Sequence, residues 1–270
     1  MEGKTHRMES SRQSEPRPQA TAPETESPTA RKATKTSEPP PKDVEPLKPK
    51  PISTKPNETA KEESAATADD WTEFSRGNPE SPRIALTFDA GWENKPGDKI
   101  LDVLAKHHVR STFFLTGRWV EKNPDLTRRI SSEGHEIGNH TWSHKRLTKL
   151  SAAQITEETD KAEKIIVGLT GKSTKPLLRV PYGERDKRVL STLAKLGYRS
   201  IYWDEDCWDS VKPNVTPAEI EARVTAKTRN GSVVLMHIGS EATADALDSI
   251  LEKLQAAGFQ PVTVGELLNN

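Results

Sequence analysis

The sequence predicts an α/β domain, a distorted (β/α) barrel with parallel strands, preceded by a disordered tail. Three observations predict it. Strand-like and helix-like segments alternate about seven times between residues 83 and 264. The unusual polar residues fall just after the strand-like segments, and the C-terminal strand ends of a parallel barrel converge on one face. All 14 aromatic residues lie within 71–270, so only that part of the 270-residue chain is equipped to build a core. The number of units favours a barrel, complete or incomplete, over a two-faced open sheet.

Residues 1–70 hold 11 of the 20 prolines, 12 Lys and Arg, 13 Asp and Glu, and only Val44, Leu47 and Ile52 among Val, Leu and Ile. Such a segment buries too little apolar surface to offset its chain entropy, and is expected to be a disordered, Pro-rich charged linker. From Trp71 the pattern changes. Arg83 to Phe88 reads as a buried strand, and Gly97 to His107 has helical spacing at Ile100, Leu101 and Leu104. Ser111 to Leu115 is a second strand. Pro124 opens a helix that stops at Gly134, and His135 to Gly138 is a short strand. Ser151 opens a long amphipathic helix to about Gly171, striped by Ile155, Ala162, Ile165, Ile166 and Leu169. Leu177 to Arg179 is a strand, Asp186 to Leu196 a helix closed by Gly197, and Tyr198 to Trp203 a strand. Thr216-Pro-Ala-Glu219 caps a helix to about Arg229. Ser232 to Met236 is a strand, Ala242 to Ala257 a helix, and Gln260 to Val264 a last strand.

Composition excludes several classes. One cysteine rules out an internal disulfide framework and a zinc site built on several thiolates. Forty basic and forty acidic residues cancel, so no nucleic-acid partner is expected. No run of about 18 apolar residues exists to form a transmembrane segment. Met1 is followed by charged residues and no apolar stretch, so no signal peptide is expected from the chain as written. A monomer is expected.

Several residues carry chemistry. Asp89 follows the first strand, in Thr87-Phe-Asp-Ala-Gly91, where a carboxylate can take a proton from a water; it can equally cap its own turn. His140-Thr-Trp-Ser-His144 puts two imidazoles four apart. If that turn is helical they share a face and can share a divalent ion; otherwise they are solvated loop histidines. Arg179-Val-Pro-Tyr182 offers a guanidinium to hold Asp89 and a backbone N–H for an oxyanion, or else a surface ion pair. His237 ends an apolar run and suits a general acid if Asp206 or Asp209 supplies a partner; alone, it reads as a satisfied core histidine.

In order, Thr87-Phe-Asp-Ala-Gly91, His140-Thr-Trp-Ser-His144, Arg179-Val-Pro-Tyr182, Asp206-Cys-Trp-Asp209 and Leu235-Met-His237 resemble the five motifs of the polysaccharide deacetylases of the NodB-homology type (carbohydrate esterase family four) over about residues 80–268. The resemblance implies metal-dependent removal of acetyl groups from a polysaccharide outside the cytoplasm. It implies Asp89 as general base, His140 and His144 as ligands of a divalent metal, most often zinc, and Arg179 as the holder of Asp89. It implies the Tyr182 backbone N–H, after Pro181, at the oxyanion, and Asp209 as the partner of His237, the general acid. Two positions depart from the pattern. Ala90 stands where the family has a second, metal-binding aspartate, with Glu93 the nearest carboxylate to replace it. Ser210 stands where the family has a tryptophan that walls the groove, a place Trp208 is a candidate to fill. The run Asp89-Ala-Gly-Trp92-Glu93-Asn94 is similar to enzymes acting on muramic acid in peptidoglycan, which favours a peptidoglycan substrate, chitin-like oligomers being the other N-acetylated polymer. Trp92, Trp119 and Trp142 are candidates for stacking on sugars, packing being the first reading for Trp119. Two other functions stay open: an O-acetyl xylan-type esterase using the same machinery, and a non-catalytic glycan-binding homologue, because of Ala90.

Overall fold

The computed structural model describes residues 73–91 and 95–269. The tail expected over residues 1–70, the domain boundary after it, Trp92 and Glu93 lie outside the described residues. Nine strands and eight α-helices are described: β1 (Glu73–Phe74), β2 (Arg83–Ala90), α1 (Gly97–Lys106), β3 (Thr112–Leu115), α2 (Gly117–Lys122), α3 (Pro124–Ser132), β4 (Glu136–Asn139), α4 (Ala152–Thr170), β5 (Leu177–Leu178), α5 (Lys187–Lys195), β6 (Arg199–Ile201), β7 (Glu205–Asp206), α6 (Pro217–Lys227), β8 (Val233–His237), α7 (Glu241–Ala256), β9 (Gln260–Pro261) and α8 (Val264–Leu268). The strands run β1-β6-β5-β4-β3-β2-β8-β7, every ladder is parallel, and β9 pairs with the start of β2. Among the described residues no ladder joins β1 to β7, so the curled sheet is an incomplete barrel.

β2 is the central strand, and its sequence shows why. Ile84 through Ala90 are all buried, as a strand covered on both faces requires. Its side chains alternate between two layers. Ile84, Leu86, Phe88 and Ala90 join the core between sheet and helices, packed with Ile100, Leu101 and Leu104 of α1. Each of those three α1 side chains is fully buried, worth about 1.5–3 kcal/mol. Ala85 faces the other way, into a second cluster with Phe114, Leu177, Ile201 and Val233, while Thr87 and Asp89 continue on that inner face. β8 alternates in the same sense: Val234 and Met236 face the helices, Val233, Leu235 and His237 the inner side.

The helices begin where the sequence offers caps. Ser151 and Gln154 form a capping box on α4, and Gly171 ends it in the left-handed region at φ 69°. Thr216 and Glu219 form another on α6. A third, Thr263 with Glu266, starts α8. It explains why the last strand stops at Pro261 instead of running to Val264: a cap and a strand cannot both use the backbone of Thr263 and Val264. α2 was not expected, since it opens on Gly117; its cap is Thr116, which accepts from Trp119 N. Gly117 is required there because the Trp142 ring occupies the space of a Cβ.

Candidate active site

The C-terminal strand ends surround a cavity of about 550 Å³. Asp89 comes from the end of β2, His140 and His144 from the turn after β4, Tyr182 from the turn after β5, Asp209 from the turn after β7, and His237 from the end of β8. Ladder pairing sets Asp89 directly beside His237.

Asp89 is held by Arg179, which is fully buried. Arg179 Nη1 donates to Asp89 Oδ1 at 2.8 Å and to Thr87 Oγ1 at 2.8 Å, Nε to the Ile201 carbonyl at 3.1 Å, and Nη2 to the Tyr202 carbonyl at 3.3 Å. Its guanidinium lies 4.2 Å from the centroid of Phe114. The pair is therefore a buried one, not the surface contact the residues alone allowed. Burial pushes the Asp89 pKa up, but the Arg179 charge, then His140 and His237, outweigh it and hold the carboxyl below its ordinary value.

His237 is the counterpart. Its Nδ1 donates to Asp209 Oδ1 at 2.7 Å, while Asp209 Oδ2 accepts from His237 N at 2.8 Å and from Thr243 Oγ1 at 2.6 Å. The Asp209 side chain is fully buried and both its oxygens are engaged. Burial opposes the imidazolium, yet the Asp209 hydrogen bond and charge, with Asp89 and Asp206 adding, raise the His237 pKa above its ordinary value. The bond at Nδ1 leaves Nε2 as the nitrogen for a substrate.

His140 and His144 also meet, but not through a helix. Thr141 at φ 66° and His144 at φ 58° lie in the left-handed region, and these two reversals bring the ring centroids to 4.8 Å. The turn is held from behind. Asn139 Oδ1 accepts from Thr141 N at 2.8 Å, and Asn139 Nδ2 donates to Tyr198 Oη at 3.1 Å. Glu158, on α4, accepts from Ser143 N at 2.8 Å and Ser143 Oγ at 2.7 Å, with Lys145 Nζ 3.0 Å away. Asn139, Glu158, Thr87 and Thr243 were all missed from sequence. Glu158 had a signal: it is an acid inside the buried stripe Ile155, Thr159, Ala162, Ile166.

The donor set can be tested against a divalent ion. His140 Nδ1 donates to the Arg179 carbonyl at 2.8 Å, which leaves the Nε2 lone pair free to coordinate, 3.6 Å from Asp89 Oδ2. Burial lowers the pKa of both imidazoles, that of His144 to about 3, which favours the neutral form a metal ligand needs. They fit an ion as two of its ligands. Ala90 is not a third: by strand alternation its methyl lies in the sheet–helix core, fully buried. Among the described residues, three clustered donors occur at His107, Asp248 and Glu252 on the outer surface, where Lys106 Nζ already occupies both Asp248 oxygens at 2.7 Å.

Pro181 is buried and starts a short 3-10 turn, and Tyr182 follows at φ 60°, 54% exposed, its ring edge against His144 at 4.5 Å and its face under the Arg146 guanidinium at 4.3 Å. Ser210 lines the cavity, with Val211, Trp203 and Leu235. Trp208 does not fill the wall; its ring stacks on Arg223 of α6 at 3.6 Å. Trp142 packs over Gly117 and under Lys161 Nζ (3.9 Å to its centroid), and Trp119 is buried, so neither is a sugar platform. Cys207 is a buried filler whose thiol pKa burial drives up.

At the strand ends of a parallel half-barrel, a carboxylate with a lowered pKa stands beside an imidazole with a raised one, an arrangement suited to acid–base chemistry. The comparisons make the class specific. The polysaccharide deacetylase family pattern matches residues 76–201. Peptidoglycan-N-acetylmuramic acid deacetylase PdaA of Bacillus subtilis is 35% identical over 196 residues, covering 72% of this chain and 74% of its own. Its solved structure, a family 4 carbohydrate esterase, matches with a TM-score of 0.71 at 34% identity over 74% of this chain and 86% of that one. The uncharacterized protein YlxY of the same organism is 34% identical over 194 residues, 72% of this chain but only 60% of its own length. BA3943 of Bacillus anthracis, described as a family 4 pseudoenzyme, matches with a TM-score of 0.70 at 30% identity over 76% of this chain and 72% of that one. This chain belongs to the polysaccharide deacetylase family.

Proposed function

We propose that residues 71–270 form a catalytic domain that removes N-acetyl groups from a cell-wall glycan, peptidoglycan first, with residues 1–70 as a tether and the protein acting outside the cytoplasm. The observation that supports this most is the pairing on neighbouring strands of Asp89, its pKa lowered by Arg179, with His237, its pKa raised by Asp209. An amide carbonyl is a poor electrophile and an amine a poor leaving group, so deacetylation needs both a base and an acid. Asp89, fixed by Arg179, takes a proton from the attacking water. His237, oriented by Asp209 through Nδ1, gives its Nε2 proton to the departing nitrogen. The Tyr182 N–H, on the turn after Pro181, faces the developing oxyanion. A divalent ion, zinc in the first instance, supplies Lewis-acid polarisation of the carbonyl when held by His140 and His144. Trp92 is proposed to stack on the sugar.

The buried methyl of Ala90 favours a second reading, a glycan-binding homologue without catalysis. Acetate release from peptidoglycan and chitin oligomers, with and without zinc, separates the two. The enzyme reading expects zinc-stimulated release that falls by about 10²–10⁴ in Asp89→Asn. Binding of glycan with no release at any zinc concentration supports the second reading and sinks the first.

A further inference from the structure

We propose that Trp208 is a second glycan contact, a platform outside the cavity for a pyranose ring further along the same polymer. The inference rests on the glycan reading of the cavity. It starts from the turn after β7. Ser210 and Val211 of that turn line the cavity, and Asp209 reaches inward to His237. Trp208 points the other way. It is 46% exposed, its backbone lies at φ 67°, and one face of the indole is covered by the Arg223 guanidinium at 3.6 Å.

Three features distinguish this ring from an ordinary surface tryptophan. First, it is fixed before any ligand arrives. Trp208 N donates to Asp206 Oδ1 at 2.8 Å, Lys212 N donates to the Trp208 carbonyl at 3.1 Å, and Arg223 is anchored by the Asp206 carbonyl and by Glu205 at 2.8 Å. A ring already held in place loses little freedom on binding. Second, exposure is concentrated here. Among the described residues, the exposed large hydrophobics are Tyr182, Trp208 and Val211, all on turns at the cavity, and Val167 on α4. Third, Asp209, Ser210 and Val211 line the cavity while Trp208, just before them in the same turn, does not, so the indole sits on the outside. An aromatic face is thereby placed just beyond the cavity. The C–H face of a pyranose matches the electron-rich face of an indole, and a polymer leaving the cavity past Ser210 and Val211 meets that face next.

The platform therefore acts only on substrates long enough to reach it. The test uses the full chain, Trp208→Ala and Trp208→Phe, with N-acetylhexosamine oligomers of increasing length. The expected result is a loss in kcat/KM of at least about fivefold for Trp208→Ala on long oligomers, carried by KM, with short oligomers unchanged and Trp208→Phe recovering much of the loss. Equal loss on short and long oligomers, or no loss on long ones, overturns the proposal. If the wild-type chain releases no acetate, the deacetylase reading fails separately. Fluorescence-monitored binding of the same oligomers then decides: length-dependent affinity lost in Trp208→Ala upholds the platform, and unchanged affinity or no binding overturns it.

Discussion

The two sides of the cavity are built to different standards. On the β2–β8 side, Asp89 Oδ1 is held by the buried Arg179, and both oxygens of Asp209 are engaged by His237 and Thr243. On the other side, the histidine turn is well braced but Ala90 stands in place of the expected aspartate, and the wall expected from a tryptophan is Ser210. The Asp89–His237 side follows the motifs named above, and the two departures from them, Ala90 and Ser210, bear on the proposed ion and on the cavity wall.

Removing the centre of the braced side gives the largest effect. Arg179→Met leaves Asp89 buried without its charge partner and is expected to cost about 3–5 kcal/mol, read as a shifted denaturant midpoint. An unchanged midpoint would show that Arg179 is not what holds this side. Next comes Asp209→Asn. His237 has a raised pKa in the folded chain, so the stabilisation from its pairing is complete below about 6.5 and is lost as pH rises through the raised value. With Asp209 neutral that value drops, and the alkaline limb of the acetate-release profile moves to lower pH. A limb that stays in place removes His237 as the acid. On the less complete side, Glu158→Gln frees the Ser143 turn, and zinc affinity measured by calorimetry is expected to fall about tenfold or more. Ser210→Trp is the mildest change. It stays within about 0.5 kcal/mol in stability and narrows the cavity, so the preference among glycans shifts toward those with the smallest substituents.

Much of this comparison was written in the residues. The β2 and β8 runs are apolar enough to read as covered strands, and the caps at Ser151, Asp186 and Thr216 set helix starts to the residue. Asp89, Arg179 and His237 were found because each follows a strand. The histidine spacing left a helical turn and a loop both open, and the pair meets through left-handed residues Thr141 and His144, a backbone choice that spacing does not encode. Trp208 was a candidate wall and proved to face outward, because direction around a turn depends on the partner Arg223, fifteen residues on. The bracing by Asn139, Glu158 and Tyr198 joins elements distant in the chain and became visible only with the fold.

The pairing of Asp89 with His237 has a consequence for how this sheet tolerates insertions and deletions. Side chains on β2 and β8 point inward at every second residue. One residue removed upstream within β2 would turn Asp89 into the greasy layer against α1 and put Ala90 in its place beside His237, with every side chain after the deletion inverted at once. These two strands can slip only by pairs of residues without exchanging their faces, and a two-residue slip moves Asp89 about 7 Å from His237. The Asp89–His237 pairing is thus locked to a counting rule in the backbone.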